Sequence, residues 1–251
     1  MKKTSFEKLY REHLPDAIEK RLDIQHKPQL ISDAILGGID GCVTTFAVVA
    51  GAVGAGFSAP VALIMGFANL FADGFSMAVS NYEAIKAQRE FREKIRCMEE
   101  EHIDRIPEGE LEEIRQVFYR KGFSGETLES IVQTISQDRQ LWVETMLTEE
   151  HGLQTIELDP IRSASATFAA FLLAGAIPLL PLFFNAQGIK RQFIFSAILA
   201  AIVFFGIGTL KSLVFAKPML RAGLSTLLTG GAAASLAYLT GYVLRHVLAT
   251  G

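Results

Sequence analysis

Residues 163–189 read SASATFAAFLLAGAIPLLPLFFNAQGI, 27 consecutive positions without an acidic or basic side chain. A helix needs about 20 apolar residues to cross the hydrocarbon core of a bilayer. Two more charge-free runs follow, 192–210 (19 residues) and 222–244 (23 residues). Of the 27 acidic residues, nine lie in 1–85 and 18 in 86–159, so none falls in 160–251. Beyond Arg162 the basic residues are Lys190, Arg191, Lys211, Lys217, Arg221 and Arg245. A soluble fold cannot build polar faces from so few charges. The C-terminal part of the chain therefore reads as three membrane spans, at about 163–184, 193–215 and 222–245.

Towards the N-terminus, residues 41–72 form another run of 32 without charge. The short uncharged turn Gly54–Pro60 divides this region into an antiparallel pair of spans, about 34–57 and 59–82. Each carries one carboxylate, Asp40 in the first and Asp73 in the second. Residues 1–30 mix seven Lys/Arg with several acids and read as an amphipathic helix closed by Pro28. They lack the apolar core of a cleavable signal peptide.

After Tyr82 the composition flips. Phe91, Ile95, Met98 and His102 keep a helical face, so the second span is expected to continue as a helix into water. Pro107 starts a helix over about 108–121 that Gly122 ends. Ser124 and Asp138 are N-caps for helices at about 125–136 and 139–151, and Gly152 closes the last. The fold class is thus all-α: a polytopic membrane protein with five transmembrane helices and a helical cytoplasmic insert between spans two and three. Its parts are an N-terminal amphipathic helix (1–30), spans one and two (31–85), the acidic metal-binding insert (86–160) and spans three to five (161–251). Lys/Arg in short flanks set the orientation. With five spans, the seven before residue 28 and the three at 211–221 share one side, against two at 190–191 and one at 245 on the other. The N-terminus and insert are expected to be cytoplasmic.

Several function classes drop out. Cys42 lies in apolar and Cys97 in acidic surroundings, which is no disulfide framework and no CxxC metal site. No basic surface for nucleic acid is visible. The chain has no phosphate-binding glycine loop, nucleophile elbow or zincin motif, so neither an enzyme nor an organic cofactor is expected.

What remains is acid. A carboxylate inside a membrane span costs about 2.5–3.5 kcal/mol and normally faces a polar interior. Asn69, Asp73, Met77 and Asn81 recur every four residues, a slowly drifting stripe of oxygen and sulfur donors. On the first span Thr44 stands one turn from Asp40. Carboxylate, amide and thioether together suit a borderline divalent metal better than an alkali ion. In the insert, Glu99 with His102 and Glu110 with Glu113 are i,i+3 pairs, and Met146 with Glu150 an i,i+4 pair. Three helices offering two donors each can converge on one or two metal ions, as in carboxylate-bridged di-metal bundles. For any single Glu, a solvated acidic face is the blander alternative.

Asp40-Gly-Cys-Val-Thr-Thr45, the stretch from Gly66 to Ser76-Met-Ala78, and the acidic insert ending Trp142, Met146 and Glu150-His-Gly-Leu153 resemble the vacuolar iron transporter family over nearly the whole chain from Ser32. The resemblance implies a homodimer with five spans per subunit that moves Fe(II), often with Mn(II), out of the cytosol in exchange for protons. By motif position it assigns Asp40 and Met77 to the metal and proton path, and Glu99, Glu110, Glu113, Met146 and Glu150 to cytoplasmic metal binding. This chain departs from the pattern in having His102 where plant members carry Glu and Leu147 where they carry a second Met. Asn81 replaces a Glu, and Asp73 stands where a small residue is usual, as if the membrane carboxylate had moved two turns along one stripe. The expected partners are Fe(II) or another divalent metal as substrate, protons and the bilayer. The expected setting is a bacterial inner membrane, with a vacuolar membrane as the alternative. Two competing readings use the same insert, a membrane-anchored di-iron carboxylate redox enzyme and a metal sensor. The first needs two Glu-x-x-His motifs, and Glu99-His102 supplies one. The second has no use for carboxylates in the spans.

Overall fold

The computed structural model describes residues 6–23, 29–153, 158–184, 188–215 and 218–249. Its elements are α1 (Phe6–Glu12), α2 (Pro15–Asp23), α3 (Gln29–Gly54), α4 (Ala59–Arg105), α5 (Pro107–Arg120), α6 (Gly125–Ser136), α7 (Arg139–Glu149), α8 (Pro160–Ala176), a 3-10 segment (Ile177–Phe183), α9 (Ile189–Phe215) and α10 (Met219–Ala249). No strand occurs among the described residues. The chain divides into two compact units, Met1–Tyr82 with Pro160–Gly251, and Glu83–Asp159. The 47-residue α4 contributes to both.

Among the described residues, five helices are long and apolar enough to cross a membrane: α3, α4 through its first part, α8 with its 3-10 extension, α9 and α10. The N-terminal region differs from the single helix expected over 1–30. It forms two short helices, α1 and α2, parted at His13-Leu14, because Pro15 has no N–H to bond backwards and disfavours helical backbone at Leu14. The expected closure at Pro28 falls outside the described residues.

α3 packs against α8, α9 and α10. Its glycines allow this. A Cβ at Gly37 would strike the backbone carbonyl of Thr167, and one at Gly41 that of Phe171. Gly37-x-x-x-Gly41 thus lays one face of α3 directly on α8, the small-residue packing that stands in for hydrophobic drive inside a bilayer. One apolar cluster gathers Val49, Ala52, Leu70, Phe171, Leu179 and Leu182; a second gathers Cys42, Phe46, Ala50, Ala174, Ala200, Phe204 and Ala234. Pro178 and Pro181 tighten the end of the third span into the 3-10 segment, and its exposed carbonyls find side-chain donors. Ser196 donates to the Pro178 carbonyl at 2.6 Å and Gln192 to that of Phe184 at 2.8 Å.

The second unit has its own core of Ile95, Ile103, Ile114, Leu128, Val132, Ile135, Trp142, Val143, Met146 and Leu147. Its boundaries follow local chemistry. Pro107 opens α5, and Gly122 at φ +99° turns the chain after it. The Asp138 carboxylate accepts from the amides of Gln140 and Leu141 at 2.9 and 3.1 Å, capping α7, and Gly152 at φ +65° follows its end.

Candidate metal centres

In the second unit α4, α5 and α7 bring their acids together. Glu99 on α4 and Glu110 in the first turn of α5 are each 1% exposed. His102, one turn beyond Glu99, places Nδ1 3.2 Å from Glu110 Oε1. His151, just past the end of α7, places Nε2 2.9 Å from Glu99 Oε1 and 3.7 Å from Glu150 Oε2. Two overlapping sets result, Glu99–His102–Glu110 and Glu99–Glu150–His151, the donor atoms within each lying inside 4.8 Å of one another. Glu99 belongs to both.

The surrounding cations do not neutralise this cluster. Arg92 and Arg96 both bind Glu144, the former at 2.7 Å. Arg139 grips Asp104 with two bonds, at 2.6 and 2.9 Å, and Arg115 bridges Glu112 and Glu129. Lys121 pairs with Glu149. No Lys or Arg among the described residues pairs with the buried Glu99 and Glu110 or with the exposed Glu113 and Glu150 near them. Among the described residues, neither Glu99 Oε2 nor Glu110 Oε2 has a hydrogen-bond donor, although both are buried. Leaving such atoms unmatched costs about 1–3 kcal/mol each or more. A structure tolerates that where a proton or a metal ion takes the place between them.

The electrostatics agree. Burial first, and then Glu113, Glu99 and Glu150, push the Glu110 carboxyl up from 4.5 to about 8. The α5 N-terminus pulls the other way, but such a dipole is worth at most about 1 kcal/mol at an ordinary surface site and does not win here. Glu150 is raised as well, by partial burial and then by Glu113. The metal-free cluster therefore keeps a proton on Glu110 at neutral pH, which an incoming cation must displace.

This has a consequence for stability. Between pH 4.5 and about 8 the folded unit holds a proton that an unfolded Glu110 releases, so stability is full below 4.5 and declines as pH rises to about 8. Trp142, the single tryptophan, is buried in this unit's core and reports its unfolding. Metal-free protein followed by Trp142 fluorescence should melt at a lower temperature at pH 8 than at pH 5, and Glu110→Gln should remove most of that slope. A melting temperature that rises with pH would contradict the assignment.

Of the donors expected from sequence, Glu99, His102, Glu110 and Glu150 meet. Glu113 acts electrostatically on Glu110 and Glu150. Met146, one turn before Glu150, is 1% exposed and packed in the apolar core. His151 was not among the expected ligands. It lies beyond the last helical residue of α7, where periodicity no longer says which way a side chain faces.

In the first unit Asp40 and Asp73 are half-buried, and Asp73 is the charge that acts on Asp40. The polar groups near them bond elsewhere. Thr44 donates to the backbone carbonyl of Asp40 at 2.8 Å, and Asn81 donates its amide to the Thr167 hydroxyl at 2.9 Å. Asn69 Oδ1 is buried and has no donor among the described residues, and Met77 packs against the cluster around Phe171. A further carboxylate was passed over. Asp33, 3% exposed, lies seven residues before Asp40, two turns away on the same face of α3. That spacing was the signal available to find it.

Five candidate membrane spans, two of them carrying a half-buried carboxylate, joined in sequence to a helical unit that holds an acid–histidine cluster, define a polytopic membrane protein. The sequence profile of the VIT family matches residues 31–242, and the chain belongs to that family. It is 30% identical over 249 residues to the vacuolar iron transporter of Toxoplasma gondii, covering 96% of this chain and 82% of the relative. It is 31% identical over 220 residues to that of Plasmodium berghei, covering 84% and 81%. Vacuolar iron transporter 1 of Arabidopsis thaliana is 27% identical over 221 residues, 87% of each chain. These relatives are named for transport, not for catalysis.

Proposed function

We propose that this protein transports iron as Fe(II), with Mn(II) as a second cargo, out of the cytosol in exchange for protons. The observation that carries the proposal is the pair of buried carboxylates, Glu99 and Glu110, that face one another with no Lys or Arg between them. An acid cluster left uncompensated while neighbouring arginines pair with other acids is a place kept for a mobile cation. The soluble unit collects the ion through Glu99, His102, Glu110, Glu113, Met146 and Glu150. Asp40, Asp73, Met77 and Asn69 carry it through the spans, with Thr44 and Asn81 holding helix geometry beside them. As the metal leaves, the membrane carboxylates take protons from the far side, so the empty carrier returns without a buried charge. The N-terminal segment and soluble unit face the cytosol, in a bacterial inner membrane or a vacuolar one, and the working unit is a homodimer.

Purified protein in liposomes provides the test. Fe(II) kept reduced outside should enter faster when the lumen is acidic than when both sides share one pH, and a protonophore should cancel the difference. Equal rates with and without the gradient would remove proton exchange. Uptake no faster than in protein-free liposomes would remove transport itself.

A further inference from the structure

We infer that His151 is a metal ligand of the soluble unit, binding through Nε2 an ion it shares with Glu99 and Glu150, and that it tilts this site towards imidazole-favouring ions and away from Mn(II). The inference rests on the collecting role proposed above and adds to it a residue and a selectivity.

Three observations carry it. His151 Nε2 is already 2.9 Å from Glu99 Oε1 and 3.7 Å from Glu150 Oε2, so an ion set among the three atoms needs only side-chain adjustment. Glu99 has its other oxygen buried and without a donor, which leaves it able to bind a cation on each side, one towards His102 and Glu110, the other towards His151 and Glu150. His151 is also only partly covered, its side chain 24% exposed, and it follows α7 rather than lying within it. It is therefore not a core-packing residue; its backbone amide bonds back to the Met146 carbonyl at 3.2 Å, which leaves the ring to be placed by its own rotamer. In the metal-free state His151 Nε2–H donates to Glu99 Oε1. When the ion arrives that proton passes to solvent, Nε2 offers its lone pair to the metal, and the ring's one proton is then on Nδ1, taken from water if the ring was neutral before.

The chemical result is a nitrogen donor in a field of carboxylates. Carboxylate oxygens suit Mn(II), Fe(II) and Zn(II) alike, whereas imidazole rewards the later divalent ions of the first transition row. With His102 on one side of Glu99 and His151 on the other, each half of the cluster has one such donor.

The test uses the full-length protein in detergent with Mn(II), Co(II) and Zn(II) as probes. His151→Gln should weaken Co(II) and Zn(II) binding by about tenfold or more and Mn(II) binding by clearly less. The Co(II)/Mn(II) affinity ratio therefore falls, a change that a general loss of structure does not produce. Pulsed electron spin resonance of bound Mn(II) supplies the second reading. Imidazole nitrogen modulation should persist in His102→Gln, through His151, and vanish in the variant with both histidines replaced. Modulation already lost in His102→Gln alone, or an unchanged affinity ratio in His151→Gln, overturns the assignment while leaving the collecting site in place. Failure of the wild-type protein to bind any of the three ions sinks both together.

Discussion

Protein with Asp40→Asn, reconstituted in liposomes, should move no more Fe(II) than protein-free vesicles, while its soluble unit still binds divalent ions like the wild type. Asparagine has the volume of aspartate and keeps an oxygen donor, so helix packing survives. What it removes is the negative charge and the proton site. A carboxylate within a span costs about 2.5–3.5 kcal/mol, and a chain that retains two of them near one another is holding a strongly unfavourable arrangement unless a cation visits. Among the described residues no positive charge acts on Asp40 to offset that cost. Thr44 spends its hydroxyl on the backbone of its own helix, and Asn81 spends its amide on Thr167. The charge acting on Asp40 is another carboxylate, Asp73. Two half-buried acids that act on one another repel until a divalent ion or a proton neutralises one of them, which is the alternation an exchanger needs. Asp73→Asn should slow flux less severely, because Asp40 alone can still alternate between ion and proton. Wild-type flux through Asp40→Asn would remove this pathway from the proposed function and leave the soluble cluster as its only support.

Much of this architecture was readable in the chain, for physical reasons that differ from element to element. The spans announced themselves by charge exclusion, since a run such as 163–189 has no alternative use in water. The expected span of 163–184 is regular helix to Ala176 and then a 3-10 segment, because Pro178 and Pro181 lack the amides a regular helix needs. The soluble helices were bounded by Pro107, Gly122, Asp138 and Gly152, residues whose preferences are local and act without tertiary help. Glu99, His102 and Glu110 were found as candidates because i,i+3 spacing and a helix start place side chains predictably. What stayed hidden depended on long-range partners. Asn81 reads as a pathway donor from its four-residue spacing, yet its amide is taken by Thr167, 86 residues away. Met77 shares that stripe, yet it packs on the cluster that includes Phe171 and Leu179. Nor does an acid count distinguish Glu144 from Glu99. The first is claimed by Arg92 and Arg96 and the second, among the described residues, by no arginine, a difference that tertiary packing alone creates.

The same close approach of α3 and α8 that positions Asp40 yields the largest stability effect expected of a single methyl group. Gly41→Ala should destabilise the protein by about 3 kcal/mol, at the upper end of overpacking costs. A Cβ there would run into the carbonyl oxygen of Phe171 and lie 2.9 Å from its carbonyl carbon and Cα. These are backbone atoms of a packed helix, with no rotamer to escape into. A Cβ at Gly175 would likewise meet the Gly41 carbonyl at 2.7 Å, and Gly37 rests on Thr167, so the two helices touch along several turns. Relief requires them to part. A gap of about 0.5–1 Å forfeits a quarter to a half of the dispersion energy of every facing atom pair. Alanine's better helix propensity, worth up to about 1 kcal/mol over glycine, does not recover that. The control lies in the same molecule. A Cβ at Gly206 has nothing within 4 Å, so Gly206→Ala should leave stability unchanged or raise it slightly. Thermal melts in detergent should show Gly41→Ala lowered by on the order of 10 °C and Gly206→Ala at or above the wild type. Because α3 then stands away from α8, Asp40, the residue before Gly41, moves with it, and flux should fall even below the melting temperature. Equal melting of the two variants would mean that α3 and α8 are not in backbone contact, and the placement of Asp40 would fall with that contact.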